Sequence, residues 1–273
     1  MQKMKQNLVE RQKSKVESQE PRGKRRKHKV VKWEYVTKPF DVKVLPDLIT
    51  RLHTPLVPWL SSLTENCYVH LRPCVQGVDE DGAVVKYLYC TRDGRFFARG
   101  KDGWNEILAS NHTHIRHNKA VGGSAGCPQL QHHGQKYAHR CVAFAWLDVP
   151  EDVRSQISDI RRQESEVKWE VDHLNTDHEN WTADNLQFVT AAENRRRGAI
   201  ARRMRKIGLD PKLLTPTLCK GIYTLPEGRL EEFIGRFLFV SKDLEAPMDV
   251  MSIRLCVATA LDWMKASAAN INC

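Results

Sequence analysis

The sequence contains no apolar run of about 18 residues or more, so we expect neither a transmembrane helix nor a membrane as a partner. Its first residues include no apolar segment of the kind that a secretory signal needs. We therefore expect an intracellular protein of the cytoplasm or nucleoid of its host cell, with nucleus and organelle left open. The 8 cysteines are scattered, and inside a cell they are expected as reduced thiols rather than as a disulfide framework.

The net charge of the whole chain is +10. The positive charge is concentrated in two stretches in which acidic residues are scarce. Residues 1–40 contain 13 Lys and Arg against 4 Asp and Glu, which is a net charge of +9. Residues 195–212 contain 8 against 1, which is a net charge of +7. Charge concentrated in this way is typical of a protein that binds a polyanion such as a nucleic acid.

Residues 1–30 lack aromatic side chains and large apolar residues almost entirely. Such a segment cannot bury enough apolar surface to offset the entropy lost on ordering, so we expect a disordered basic arm. Its basic run includes Lys24, Arg25, Arg26 and Lys27, which we expect to contact phosphates. A nuclear localisation signal and a merely solubilising tail are the alternatives.

The chain also lacks a Cys-x-x-Cys pair, although residues 111–139 are rich in histidine. The candidate metal ligands there are His112, His114, His117, Cys127, His132 and His133. None forms the two complementary pairs that structural zinc sites use, and Cys67 and Cys74 are separated by six residues rather than by two to four. This spacing therefore argues against a structural zinc ion, and polar loop or DNA-facing residues are the preferred interpretation.

Residues 31–110 have the pattern of a small β-rich module. A strand over Ala83–Cys90 and a second one from Arg95 to Phe97 flank Asp93-Gly94, which is a typical hairpin turn. The aromatic residues of this hairpin are expected mainly in the core; they are Tyr87, Tyr89, Phe96 and Phe97.

Residues 208–273 are expected to form a helical accessory region. Leu230–Val240 is apolar, and Asp249–Ala268 contains neither Gly nor Pro. The second stretch has apolar residues at helical spacing, namely Val250, Ile253, Val257, Leu261 and Met264. This pattern predicts an amphipathic helix that packs on the body of the protein or on a partner.

Glu170–Asn194 is the stretch with the highest density of chemically useful side chains. Its sequence predicts a strand that ends at His173, a polar loop, and a second strand over Leu186–Val189. Thr190 and Glu193 then form a capping box, which starts a helix with Asn194 in its first turn. The prediction for this stretch is strand, loop, strand, helix.

The residue types in this stretch suit phosphodiester hydrolysis. Such a reaction needs an activated water, an electrophilic cation on the phosphate and stabilisation of the departing oxygen. A neutral histidine such as His173 is a suitable base, and a hard divalent cation takes oxygen ligands of the kind that Asp172 and Asn194 offer. Asn185 can hold the loop through side-chain to backbone hydrogen bonds. His178 is a rival for the base, although it lies in the loop without an adjacent acid.

The stretch resembles the HNH nucleases of the phage and intron-encoded homing type. The matching residues are Asp172-His173, Asn185-Leu186 and Glu193-Asn194. The upstream run from His139 to Trp146 is similar to the segment that precedes the motif in that family. The resemblance covers roughly residues 135–197 and places an HNH nuclease domain at 111–207.

This resemblance implies an α+β chain with a ββα-metal nuclease core, an N-terminal β-rich module and a C-terminal helical region. It implies cleavage or nicking of double-stranded DNA with one divalent cation, Mg²⁺ or Mn²⁺. In this interpretation His173 is the general base, Asp172 and Asn194 ligate the cation, and Asn185 supports the loop. The alternative is a catalytically inactive protein of the HNH fold that only binds nucleic acid, with RNA processing as a weaker third possibility.

The predicted helix after Asn194 is densely basic. Seven cations fall within residues 195–206: Arg195, Arg196, Arg197, Arg202, Arg203, Arg205 and Lys206. They would repel one another unless countered, and no run of acidic residues accompanies them in the sequence. Phosphate contact is therefore expected, with a solvated helix face as the alternative.

Overall fold

The structure is a computed structural model, and it describes a defined part of the chain. The described residues are 29–53, 68–109, 128–130, 133, 136–153, 169–226, 228–242 and 248–269. The basic arm with Lys24, Arg25, Arg26 and Lys27 lies outside them, as does most of the His-rich segment. Of the candidate zinc ligands only His133 is described; it is buried, with its ring 4.7 Å from the ring of Trp33.

The N-terminal half of the described chain is a seven-stranded sheet. Its strands are β1 (Lys32–Tyr35), β2 (Val42–Val44), β3 (Ile49–Arg51), β4 (Val69–Val78), β5 (Val84–Cys90), β6 (Phe96–Arg99) and β7 (Trp104–Ile107). The order is β1-β4-β5-β6-β7-β3 with β2 also on β4, and only the β3–β7 pair is parallel. The prediction that the N-terminal part is rich in β-strands is therefore confirmed.

The β5–β6 hairpin turns where the sequence predicts it. Gly94 has a φ of +87°, which an L-residue rarely adopts, so glycine is required there. Phe96 and Phe97 are buried as predicted, whereas Tyr87 and Tyr89 are only half-buried. The prediction of core aromatics is thus confirmed for the second strand of the hairpin and wrong in part for the first.

One face of the sheet packs on helix α1 (Ala138–Trp146), which follows two short strands, β8 (Gln129–Leu130) and β9 (Lys136–Tyr137). The core here contains Cys74 and Leu88 from the sheet together with Cys141 and Val142 from α1. Leu186 belongs to the same cluster, and like α1 it lies beyond residue 110, in the predicted nuclease domain. The β-rich module and the predicted nuclease domain therefore share one hydrophobic core across the expected boundary at 110/111.

The strand, loop, strand, helix prediction is confirmed. β10 (Trp169–His173) pairs antiparallel with β11 (Leu186–Thr190), and α2 (Ala191–Lys206) follows without a linker. The oxygen Oγ1 of Thr190 accepts a hydrogen bond from the Glu193 N–H at 3.2 Å, so the predicted N-cap is present. Gly208, with a φ of +80°, ends α2 by the usual left-handed C-cap conformation.

The C-terminal region is helical, as predicted. It consists of α3 (Pro216–Tyr223), α4 (Leu230–Lys242) and α5 (Val250–Ala269). Ile253, Val257, Leu261 and Met264 of α5 are buried, in keeping with their helical spacing, while Val250 is exposed. Ile200 and Met204 of α2 lie in the same cluster as these side chains, so this core also crosses the expected boundary at 207/208.

The molecule is thus a mixed α+β protein with a β-rich N-terminal part and a helical C-terminal part. Among the helices in the described ranges, none has the length and apolar content needed to cross a bilayer.

Candidate active site

The hairpin of β10 and β11 brings together the residues that the sequence singles out. His173 ends β10 and pairs with Leu186, the first residue of β11. Asn185 immediately precedes Leu186, and Asn194 lies in the first turn of the helix that β11 leads into. A single short unit therefore carries Asp172, His173, Asn185 and Asn194, because the chain folds back on itself between them.

Alternation along β10 divides its side chains between two neighbours. Successive strand residues point to opposite faces, so Glu170 and Asp172 share one face and His173 takes the other. Asp172 and Glu170 contact α2, where they meet Arg197 and Asn194 respectively. His173 instead contacts α1. The proposed base and the proposed carboxylate ligand thus extend from adjacent residues in opposite directions.

His173 lies between two other imidazole rings. The ring centroid of His139, on α1, is 5.0 Å from that of His173, and the ring of His178, in the loop, is 5.0 Å away as well. The atom Nε2 of His173 is buried and has no hydrogen-bond partner among the described residues. Burial, and then the neighbouring His178, lower the pKa of His173 to about 4. The imidazole is therefore neutral at physiological pH, as a general base requires.

Asn185 spans the loop between the two strands. Its side chain is fully buried. Its Oδ1 accepts a hydrogen bond from the Asn175 N–H at 3.1 Å, and its Nδ2 donates one to the Asn180 carbonyl at 2.8 Å. The two bonds tie both halves of the loop to one side chain, which is the supporting role that the sequence predicts for Asn185.

Asp172 is a carboxylate held in a largely buried position. Burial raises the pKa of Asp172 to about 6, and the guanidinium of Arg197 opposes that rise. The distance from Arg197 Nη1 to Asp172 Oδ2 is 3.4 Å. Below neutral pH the carboxylate is thus partly protonated, and at neutral pH it is charged and paired with Arg197.

The orientation of Asn194 is fixed by Glu170. Asn194 Nδ2 donates a hydrogen bond to Glu170 Oε2, and no donor among the described residues reaches Asn194 Oδ1. The carboxamide oxygen is the atom that a hard cation would use, and here it is the one that stays available. The oxygens of Asp172 and Asn194 therefore suit Mg²⁺ or Mn²⁺, which usually takes one or two carboxylates and completes its shell with waters and phosphate.

In the part of the chain that the structure describes, no three His, Cys, Asp or Glu side chains form a group that could hold a metal ion. A cation at Asp172 and Asn194 would accordingly have few protein ligands. Such a site binds weakly until a substrate phosphate contributes further oxygens, which is the usual situation for Mg²⁺ in phosphoryl chemistry.

The basic helix α2 has acidic partners both in its own first turn and beyond its C-terminal end. Arg196 and Arg197 both bond Glu193, at 2.7 Å each; Arg203 pairs with Glu231, and Arg205 lies 3.6 Å from Asp210. No run of acidic residues accompanies the seven cations, as the sequence shows, but four of the cations each have an acidic partner. Glu193 lies one turn before Arg196 and Arg197, whereas Glu231 and Asp210 lie beyond the end of the helix.

Three cations of α2 remain exposed and without an ion pair among the described residues: Arg195, Arg202 and Lys206. Their spacing of seven and four residues places them on one face of the helix. Arg197, in contrast, has a side chain only 11% exposed, so it faces the hairpin rather than solvent. The exposed cations of α2 without an ion pair among the described residues are thus confined to one stripe.

Comparisons of the chain with known protein families, with curated proteins and with solved structures find no match. The geometry of the hairpin and helix therefore carries the functional argument.

Two residues of this site are absent from the sequence-based predictions of its chemistry. Glu170 could have been found from strand alternation, because it lies two residues before Asp172 on the same face. His139 could not have been placed beside His173, since 33 intervening residues and a different element separate them. Only the packing of α1 against the hairpin brings the two rings together.

Proposed function

We propose that this protein is a divalent-cation-dependent DNA endonuclease of the HNH type, with a ββα-metal core formed by β10, β11 and α2. The observation that carries the proposal is the arrangement of Asp172, His173 and Asn194 on that unit, with Asn185 clamping the loop between them. An acid, a neutral imidazole and a free carboxamide oxygen lie at the end of one strand and the start of one helix. Together they supply a base and oxygen ligands for a cation.

In this proposal His173 accepts the proton of the attacking water. Its pKa of about 4 keeps the ring unprotonated and ready, at the cost of a weaker driving force for proton transfer. Asp172 and Asn194 would hold Mg²⁺ or Mn²⁺, which stabilises charge on the phosphate and on the departing 3′ oxygen. Asn185 keeps the backbone after His173 in place, and Glu170 keeps the Asn194 oxygen available.

The phosphates of double-stranded DNA would meet the stripe formed by Arg195, Arg202 and Lys206. A cation without an acidic partner displaces more counterions from the DNA when it contacts a phosphate than a cation that is already paired does. The arm that contains Lys24, Arg25, Arg26 and Lys27 adds a second basic segment for the same polyanion. These contacts position the duplex and carry no sequence information by themselves.

The test is nicking of a supercoiled plasmid by the full-length protein. We expect relaxed or linear product with Mg²⁺ or Mn²⁺ and none with EDTA. His173→Ala should lower the rate by about 10²–10⁴-fold, the usual contribution of a general base. His70→Ala is the matched control, because His70 is an exposed histidine on β4. Metal-dependent nicking at the wild-type rate by His173→Ala would overturn the assignment.

A protein of the HNH fold that binds nucleic acid without cleaving it is the second candidate. The buried Nε2 of His173 favours it, since a base must reach its water, and so does the Arg197 guanidinium beside Asp172. Wild-type protein that binds a DNA duplex but leaves the plasmid intact with every divalent cation would establish this candidate in place of the first.

A further inference from the structure

Two side-chain contacts join the same face of β10 to the same face of α2. Glu170 and Asp172 are two residues apart on the strand, and their partners Asn194 and Arg197 are three residues apart on the helix. Residues at these spacings are neighbours on a strand face and on a helix face. The arrangement places a guanidinium directly beside Asp172, one of the two groups that the proposed function assigns to the cation.

Arg197 is held in this place from several sides. Its Nε donates to Glu193 Oε1 at 2.7 Å, and its guanidinium lies over the ring of Tyr223, on α3, at 5.2 Å from the ring centre. The side chain is 11% exposed. A guanidinium that is fixed and largely screened from water acts strongly on a carboxylate 3.4 Å away. Asp172 therefore has a positive partner before any metal ion arrives.

We propose that Arg197 is a positioning residue that occupies Asp172 in the cation-free protein and so lowers the affinity of the site for a divalent cation. This inference rests on the proposed function, which makes Asp172 a ligand. A divalent cation that binds Asp172 must either displace the guanidinium or accept its repulsion. A DNA phosphate beside the site offsets that repulsion with its own negative charge. Bound DNA therefore raises the affinity of the site for the cation, and the bound cation raises the affinity for DNA by the same factor.

A purely structural role for Arg197 gives a different expectation. As a link between the hairpin, Glu193 and α3, it would affect the free energy of unfolding and leave the affinity for cations unchanged. The chain offers a control in Arg196, which also bonds Glu193 and also contacts Tyr223, through the backbone carbonyl. Both arginines thus contact Glu193 and Tyr223, and Arg197 is the one that forms the ion pair with Asp172.

The experiment is a titration of the full-length protein with Mn²⁺ in the absence of DNA, with free Mn²⁺ measured by electron paramagnetic resonance. We expect Arg197→Met to bind Mn²⁺ about tenfold more tightly than wild type, within the range of typical coupling between bound charges. Arg196→Met should stay within about twofold of wild type by the same measure. Asp172→Asn in the Arg197→Met background should remove the gain.

The outcomes separate this inference from the proposed function. Equal Mn²⁺ affinity in Arg197→Met and wild type, with binding that still depends on Asp172, overturns the inference alone. Mn²⁺ binding that is absent, or indifferent to Asp172→Asn in every variant, overturns the proposed cation site as well. If Arg197→Met does not fold, Arg197→Gln replaces it, because a glutamine carries no charge towards Asp172 and keeps a hydrogen-bond donor for Glu193. An affinity that does not rise in Arg197→Gln then overturns the inference.

Discussion

At the scale of single residues, Asn185 shows how one side chain can fix the backbone of the loop between β10 and β11. Its two hydrogen bonds reach Asn175 on one side of the loop and Asn180 on the other. Only a carboxamide offers an acceptor and a donor at these positions at once. An aspartate would retain the bond to the Asn175 N–H and lose the one to the Asn180 carbonyl.

Asn185→Ala leaves the Asn175 N–H buried without a partner, which costs about 1–3 kcal/mol of the free energy of unfolding. Urea unfolding followed by tryptophan fluorescence measures the loss. Asp184→Ala is the control, because Asp184 is adjacent, 70% exposed and, among the residues that the structure describes, paired only with the exposed Arg92. A surface pair of this kind contributes about 0–1 kcal/mol. Equal losses in the two variants would show that the loop does not depend on the Asn185 bonds.

His139 gives the stability of the protein a dependence on pH. Burial lowers its pKa to about 3, while an unfolded histidine has a pKa of about 6.5. Between these values the unfolded chain binds a proton at His139 and the folded chain does not. The contribution of neutral His139 to the free energy of unfolding is therefore fully present above pH 6.5. It decreases as the pH falls towards 3, by about 1.4 kcal/mol per pH unit at most.

His139→Leu should remove this part of the pH dependence. From pH 6.5 to 4.5 we expect the free energy of unfolding of wild type to fall about 2–3 kcal/mol further than that of His139→Leu. His173, whose pKa is lowered to about 4, is present in both proteins and cancels to first order. Urea unfolding at several pH values measures the difference. His70→Leu, at an exposed position on β4, is the control, and a matching change there would contradict burial as the cause.

At the scale of elements, helix α2 separates its cations by face. Ile200 and Met204 are buried against the C-terminal helices, and the opposite side carries Arg195, Arg202 and Lys206. Neighbouring positions 202 and 203 differ in this respect, because Arg203 pairs with Glu231 and Arg202 has no ion pair among the described residues. The two arginines therefore offer a direct comparison at equal net charge.

Arg202→Ala should weaken binding of a DNA duplex more than Arg203→Ala. If Arg202 contacts one phosphate, its loss reduces the slope of log K against log salt concentration by about 0.9. Arg203→Ala should change the slope less, since Glu231 already neutralises that guanidinium. Fluorescence anisotropy with a labelled duplex at several salt concentrations measures both slopes. Equal slopes for the two variants would mean that the unpaired stripe is not the surface that meets the phosphates.

The same elements show what a sequence can predict. The strand, loop, strand, helix unit is encoded locally: Thr190 caps α2, the β-branched and aromatic residues of β11 favour a strand, and Gly208 ends the helix. Each signal acts within a few residues of the feature it determines. For this reason the positions of Asp172, His173, Asn185 and Asn194 on their elements follow from the sequence.

Contacts between distant elements do not follow from it. Arg197 looks like any other cation of the basic helix, and its burial depends on β10 and α3 packing against the same face of α2. The pairing of Arg203 with Glu231 likewise requires α4 to pack beside α2. Only the pairs of Arg196 and Arg197 with Glu193 have the local spacing of helix neighbours, so the rest of the division of the seven cations into paired and unpaired groups comes from the structure.

At the scale of the whole molecule, the hairpin of β10 and β11 is supported from two sides. Leu186 packs into the core shared by the sheet and α1, and Leu174 packs with the C-terminal helices. The loop also docks on the β5–β6 turn: Trp181 Nε1 donates to the Gly94 carbonyl at 2.8 Å, and the Ala183 N–H donates to the Arg92 carbonyl at 2.9 Å. The β-rich module thus helps to position the proposed active site.

This docking predicts that a substitution in the sheet reaches the site. A Cβ on Gly94 would lie 2.4 Å from Trp181 Cδ1, and the φ of +87° disfavours any L-residue. Gly82, in the preceding turn, has a similar φ of +79° but no atom within 4 Å of a new Cβ. In both alanine variants the unfavourable backbone conformation should lower the free energy of unfolding by about 1–2 kcal/mol. In Gly94→Ala it should fall by about a further 1–3 kcal/mol, because the indole of Trp181 must move.

Urea unfolding of Gly94→Ala and Gly82→Ala measures this difference, and plasmid nicking shows whether it reaches the chemistry. The displaced Trp181 belongs to the loop that carries His178 and Asn180, so we expect Gly94→Ala to nick more slowly than Gly82→Ala under conditions where both are folded. Because the two variants share the cost of a positive φ, only the contact with Trp181 distinguishes them. Equal stability and equal nicking would mean that the hairpin keeps its geometry without the sheet.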